Sequence, residues 1–195
     1  ALLIGIRGRR YATPRAFARH VGFVLAGVGV GVNAVYLQNG VIFWFLYHLF
    51  NPLAAFVFGT CLFLLMWGLS STLLRHWAVL PAVSALGIAG LLVSGGWQSY
   101  LSLASMACLA FGSGFCFPLL GLRFQTRFLD LFVADAIGGF SGGILGVWLP
   151  LSFGLGRFFH ILPWVSAITL TIVVISVAAA RAPAMACGMR PQTSV

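Results

Sequence analysis

Apolar residues run along this chain in long blocks, broken by short polar or arginine-bearing stretches. A spanning helix needs about 20 mostly apolar residues. Six blocks meet or approach that length: 21–38, 52–74, 78–96, 100–120, 131–153 and 158–180. Nothing alternates with period two over tens of residues, so a β-barrel is not expected. Helices are, because lipid offers free backbone groups no partner. The pattern predicts an all-α integral membrane protein, a bundle of about six transmembrane helices over 21–180. Residues 1–20 form a basic cytoplasmic segment and 181–195 a cytoplasmic tail. Short connections predict antiparallel neighbours packed in chain order.

Segment 41–50 (VIFWFLYHLF) fits none of the six blocks. Joined to the second block it would give a helix of about 51 Å, too long for one crossing. Asn51-Pro52 reads as a helix start, with Asn capping and Pro in the first turn. Segment 41–50 is therefore expected at the outer face, interfacial or re-entrant. Trp44, Tyr47 and His48 suit the headgroup belt. The alternative is a simple extension of a tilted span.

Composition sharpens the class. Hydrophobic residues make up 61% of the 195 and charged residues 7%, against about 25% charged in a soluble domain. Such a surface cannot be hidden from water, so a soluble enzyme and a disordered chain are both excluded. The 11 cations are all arginine, and the two acids are Asp130 and Asp135, for a net charge of +9. The absence of lysine excludes Schiff-base chemistry.

The arginines also report topology. Arg7, Arg9, Arg10, Arg15 and Arg19 precede the first block, Arg75 follows the second, Arg123 and Arg127 follow the fourth, and Arg181 and Arg190 follow the sixth. With both termini inside, only Arg157 lies outside, as the excess of positive charge on cytoplasmic loops predicts. The charge thus marks one membrane face and no nucleic-acid partner. The first twenty residues are too polar for a cleavable signal peptide, and Ala1 fits a chain that has lost its initiator Met.

Few groups remain to carry chemistry. Gly27, Gly29 and Gly31 form a GxGxG inside an apolar span with no acid following, which reads as close helix packing and not a nucleotide loop. Block 131–153 holds Gly138, Gly139, Gly142, Gly143 and Gly146 in overlapping small-xxx-small pairs. Asp135 shares a helical face with Gly138, Gly139, Gly142 and Gly146, so it is expected to point into protein. An acid in a span is costly and marks function by default. A structural ion pair with Arg123, Arg127 or Arg75 is the alternative, and Asp130 reads as a helix cap.

Histidines 48 and 160 fall on the outer side, and His20 and His76 on the cytoplasmic side. Two helices offering His at equal depth can ligate a haem or a (bacterio)chlorophyll. His48 with His160 is the better pair, and Ala16 before His20 and Gly156 before His160 would leave room for a macrocycle. Span ends also hold ordinary, unliganded histidines. Cysteines 61, 108, 116 and 187 make no CxxC pair, so neither a thioredoxin-like motif nor a zinc site is indicated. No nucleophile motif or carboxylate pair is present, and the chain is not expected to be an enzyme.

One family resemblance rests on the second half. Gly114-Phe-Cys-Phe117-Pro118-Leu119 closes a helix and is followed by a short arginine-bearing loop. Phe132-Val-Ala-Asp135-Ala-Ile-Gly138-Gly139-Phe-Ser-Gly142 and Leu149-Pro150-Leu-Ser-Phe-Gly154 come next. Over roughly 81–180 this resembles the membrane portion of bacterial spermidine synthase-like integral membrane proteins. Family members commonly carry a soluble aminopropyltransferase domain, and Tyr is usual where Phe132 stands. With two acids in all, this chain has no means to build an acidic polyamine pocket. The resemblance implies a membrane module without the catalytic half.

The leading expectation is a non-catalytic accessory or scaffold subunit of a bacterial inner membrane. Its partners would be other integral membrane subunits and lipid, met through the glycine faces of the first and fifth spans, with homo-oligomers as a variant. A small-molecule or cation transporter using Asp135, with Pro118 and Pro150 breaking helices around a midplane site, is the alternative. A haem- or chlorin-binding subunit of an electron-transfer or photosynthetic complex is the third.

Overall fold

The computed structural model describes residues 14–72, 79–94, 96–123 and 128–181. These form five helices and no strand: α1 (Pro14–Leu49), α2 (Pro52–Thr72), α3 (Val79–Val93), α4 (Tyr100–Arg123) and α5 (Phe128–Arg181). Four of them, all but α3, are long and apolar enough to cross a membrane. The architecture is that of an all-helical, multi-pass membrane protein.

α5 has 54 residues, about 81 Å if straight. It is not straight. Gly154 sits at φ 82°, ψ 160°, a conformation essentially reserved for glycine, and it divides α5 into arms 128–153 and 155–181. α1 lies against both. Along the first arm, Gly27 meets Ala134, Val28 meets Gly138, Val32 meets Gly142 and Asn39 meets Gly146. Both numbers rise together, so these helices run parallel. Along the second arm, Gly22 meets Ser176, Gly29 meets Thr169 and Tyr36 meets Phe158. One number rises as the other falls, so these run antiparallel. The arms are thus folded back on each other with α1 bridging them.

Two apolar clusters fill the bundle. Near the Gly154 end, Tyr36, Trp44, Phe63, Met106, Phe158 and Leu162 pack together. Toward the opposite end, Phe23, Val30, Phe115, Leu120, Leu131 and Val173 do so.

Several expectations are corrected here. Segment 41–50 is not a separate or re-entrant piece but, as the alternative reading had it, the extension of a span. α1 continues through Gly40 to Leu49, with Val41 and Trp44 fully or nearly buried. Gly40 does not break it because its bare Cα admits Met106, Phe158 and Leu162. α1 ends only at Phe50, whose φ is +51°. The start at Asn51-Pro52 is as expected, with Asn51 Oδ1 accepting from the Ala54 amide at 3.1 Å.

Packing is not in chain order, since α1 makes its most extensive contacts with α5. Pro118 does not close α4, which runs on to Arg123, and Pro150 and Pro163 lie inside α5. Within α5 it is Gly154, and neither proline, that reverses the chain. α3 is shorter than the block 78–96 from which it comes. Its 15 residues span about 22 Å, and Ser94 closes the last turn by donating to the Leu91 carbonyl.

Candidate functional site

The glycines of α1 and of the first arm of α5 face each other. A Cβ on Gly31 would overlap the Asp135 carbonyl and lie 2.7 Å from the Gly139 nitrogen. A Cβ on Gly142 would lie 2.6 Å from the Val32 oxygen, and one on Gly27 would lie 2.9 Å from the Ala134 Cβ. In lipid no hydrophobic force pulls helices together, so such backbone approach supplies the van der Waals contact that does. Gly138 and Gly146 are equally tight, whereas Gly139 and Gly143 only touch Val35, at 3.4 and 3.8 Å. Gly29 turns to the other arm, against Thr169. The faces expected to meet partner proteins are therefore consumed inside the chain.

Asp135 borders this seam beside Gly31. It is half-buried, and its Oδ1 is covered by protein with no hydrogen-bond partner among the described residues. Arg75 and Arg127, two of its expected ion-pair partners, lie outside the described residues, as does the side chain of Arg123. Asp130 sits in the first turn of α5, where the helix dipole favours an acid.

Sequence reading missed the polar seam on the other side of α1. Ser166 donates to Asn33 Oδ1 at 2.7 Å, Thr169 to the Gly29 carbonyl at 3.2 Å and Ser176 to the Gly22 carbonyl at 3.0 Å. Tyr36 donates to the Phe158 carbonyl at 3.2 Å. These four bonds tie α1 to the second arm over most of its length. The signal was present: Ser166, Thr169 and Ser176 recur at spacings of three and seven on an otherwise apolar helix, which places them on one face.

The candidate histidines differ in their surroundings. His48 is turned onto its own helix. Its Nδ1 lies 2.9 Å from the Trp44 carbonyl, and its ring stacks on the Trp44 indole at 3.8 Å. Trp44 Nε1 in turn donates to the Ser99 carbonyl at 3.1 Å. His160 is exposed and lines a groove of about 250 Å³ with Trp97, Phe159 and Gly156. Trp97 stacks flat on Phe159 at 4.9 Å and meets Tyr47 edge-on. A Cβ on Gly156 would meet nothing within 4 Å, so the face before His160 is open. His20 is buried at the opposite end beside Phe23, and His76 lies outside the described residues.

Among the described residues, no three His, Cys, Asp or Glu side chains gather to hold a metal ion. Cys61, Cys108 and Cys116 are free thiols, and Cys187 lies outside the described residues. No family model matches the chain, and no curated protein or solved structure matches it either.

Proposed function

We propose that the chain is a non-catalytic accessory subunit of a bacterial inner membrane, crossing it six times with both termini on the cytoplasmic side. The six crossings are α1 to α4 and the two arms of α5. With successive crossings alternating in direction, as this reading requires, ten of the eleven arginines fall on the side of the chain ends. The likeness of 81–180 to the membrane portion of spermidine synthase-like proteins belongs to the same reading, as a membrane module without aminopropyl transfer.

One observation carries the accessory role. With its inner glycines spent on α1, the first arm of α5 turns an apolar hollow of about 580 Å³ outward, lined by Phe140, Gly143, Ile144, Val147, Trp148 and Leu151. These positions recur at three and four residues, the spacing of a helix seam. Gly143 is part of this lining, and a Cβ there would make only ordinary contact with Val35, at 3.8 Å. A transmembrane helix of another subunit fits such a face.

Isolation from native membrane in mild detergent tests the reading. We expect a defined membrane partner with the wild type and its loss with Gly143→Leu. A stable lone monomer, or a homo-oligomer insensitive to Gly143→Leu, overturns it.

Transport through Asp135 is the second reading, favoured by its covered oxygen, which has no hydrogen-bond partner among the described residues. Proteoliposome uptake that is unchanged by Asp135→Asn removes it.

A further inference from the structure

We propose that the seam between α3 and the second arm of α5 is a binding furrow for a long-chain lipid with an anionic head group. Two cavities lie along this seam. The first, near the Gly154 end, is about 250 Å³ and lies between Leu91, Leu92 and Trp97 on one side and Gly156, His160 and Pro163 on the other. The second is about 310 Å³ and lies between Ser84 and Ile88 on α3 and Ala167 and Thr171 on α5. Ile88 and Leu91 are one turn apart on α3, and Pro163 and Ala167 are one turn apart on α5. The two cavities therefore follow one another along the same seam.

The dimensions select the occupant. From Gly156 to Ile175 the α5 wall is about 28 Å long, close to the roughly 30 Å of a bilayer's hydrocarbon core. The furrow is narrow and open to the side, which suits an extended hydrocarbon chain lying along the helices. A compact ligand would fill one end only.

Polarity is concentrated at one end. His160 and Ser94 line the first cavity. Arg157, next to Gly156, is exposed, and its guanidinium lies 5.8 Å from the Phe153 ring centre. His160 lines the cavity, and Arg157, three residues before it and adjacent to the lining residue Gly156, is an exposed cation within a side chain's length of it; together they match a phosphate or carboxylate on a hydrocarbon tail. The inner half is lined chiefly by aliphatic residues, and Thr171 there spends its hydroxyl on the Ala167 carbonyl at 2.8 Å.

The test uses the full chain in detergent, titrated with phosphatidylglycerol, phosphatidylcholine or oleate while thermal unfolding is followed. Half-maximal stabilisation is expected at about ten-fold lower phosphatidylglycerol than phosphatidylcholine, a difference of about 1.4 kcal/mol. If oleate matches phosphatidylglycerol, the head group is read as a charge and not as a phosphate. Arg157→Gln with His160→Ala should abolish the preference. Ala167→Trp, which fills the furrow, should abolish stabilisation by both phospholipids, and Ala85→Phe on the facing wall should do the same if the first variant does not fold.

Equal response to the two phospholipids overturns the proposal, as does a preference that survives filling of the furrow. A visible absorption band that is lost in His160→Ala assigns the groove to a pigment and overturns it too. None of these variants touches the Gly143 face, so failure here and failure of the accessory reading are distinguishable.

Discussion

Gly138 lies with its Cα against the carbonyl of Val28, so near that a Cβ there would overlap the oxygen. Gly139, its neighbour in sequence, stands at ordinary contact with Val35. Gly138→Ala must therefore push α1 and α5 apart, and overpacking of this kind costs about 1–3 kcal/mol. Gly139→Ala has only to shift one valine. Thermal unfolding in detergent should show a clear drop for Gly138→Ala and for Gly31→Ala, and little change for Gly139→Ala. Equal losses at positions 138 and 139 would contradict the observed helix rotation.

Gly154 is sensitive for a different reason. A Cβ there would meet nothing within 4 Å, yet the residue holds φ at 82°. Gly154→Ala is expected to cost about 1–3 kcal/mol through the backbone alone. Because the arms reverse there, the variant should also weaken contact between α1 and the second arm. Disulfide trapping between cysteines placed at Gly29 and Thr169 reads that directly, and trapping as efficient as in the Gly154 parent would refute it.

The polar seam predicts graded losses. Ser176→Ala removes one bond to a backbone carbonyl and should cost about 0.6 kcal/mol, the average for such contacts in a membrane bundle. Ser166→Ala should cost more, about 1–3 kcal/mol, because it strands the buried oxygen of Asn33. Replacing Asn33 and Ser166 together by apolar residues should recover part of that loss in a double-mutant cycle.

Two buried hydroxyls, on Ser84 and Ser113, have no hydrogen-bond partner among the described residues. Each contributes a desolvation cost and no bond. Alanine has the higher helix propensity, so Ser84→Ala and Ser113→Ala are expected to raise the unfolding temperature, by an amount corresponding to about 1 kcal/mol. A fall would mean that the hydroxyl has a partner in the membrane.

Asp135→Asn separates a costly carboxylate from a paired one. With Oδ1 lacking a partner among the described residues, the variant is expected to be at least as stable as the wild type at neutral pH. A loss of about 3–5 kcal/mol would instead show that a cation depends on it, as for a broken buried pair.

What the sequence determined was what lipid and local geometry dictate. Apolar block length specifies helices, because no other open backbone survives in hydrocarbon. Asn51 and Pro52 specify the start of α2 through their own side chains. The glycine spacings on α1 and α5 marked close-packing faces.

The tertiary structure alone decided what those faces met. A small-xxx-small stripe has the same period whether its partner is a neighbouring protein or a helix a hundred residues away in the same chain. Gly31 and Gly138 were legible as packing residues, but the Asp135 and Val28 backbones that they meet were not. Whether segment 41–50 was a separate piece or an extension of a span was likewise open in the sequence, and Met106, Phe158 and Leu162, distant in sequence, pack beside Gly40 where the helix runs on. The furrow between α3 and α5 was illegible as well, since a gap is made by where two helices fail to touch and no residue spells it.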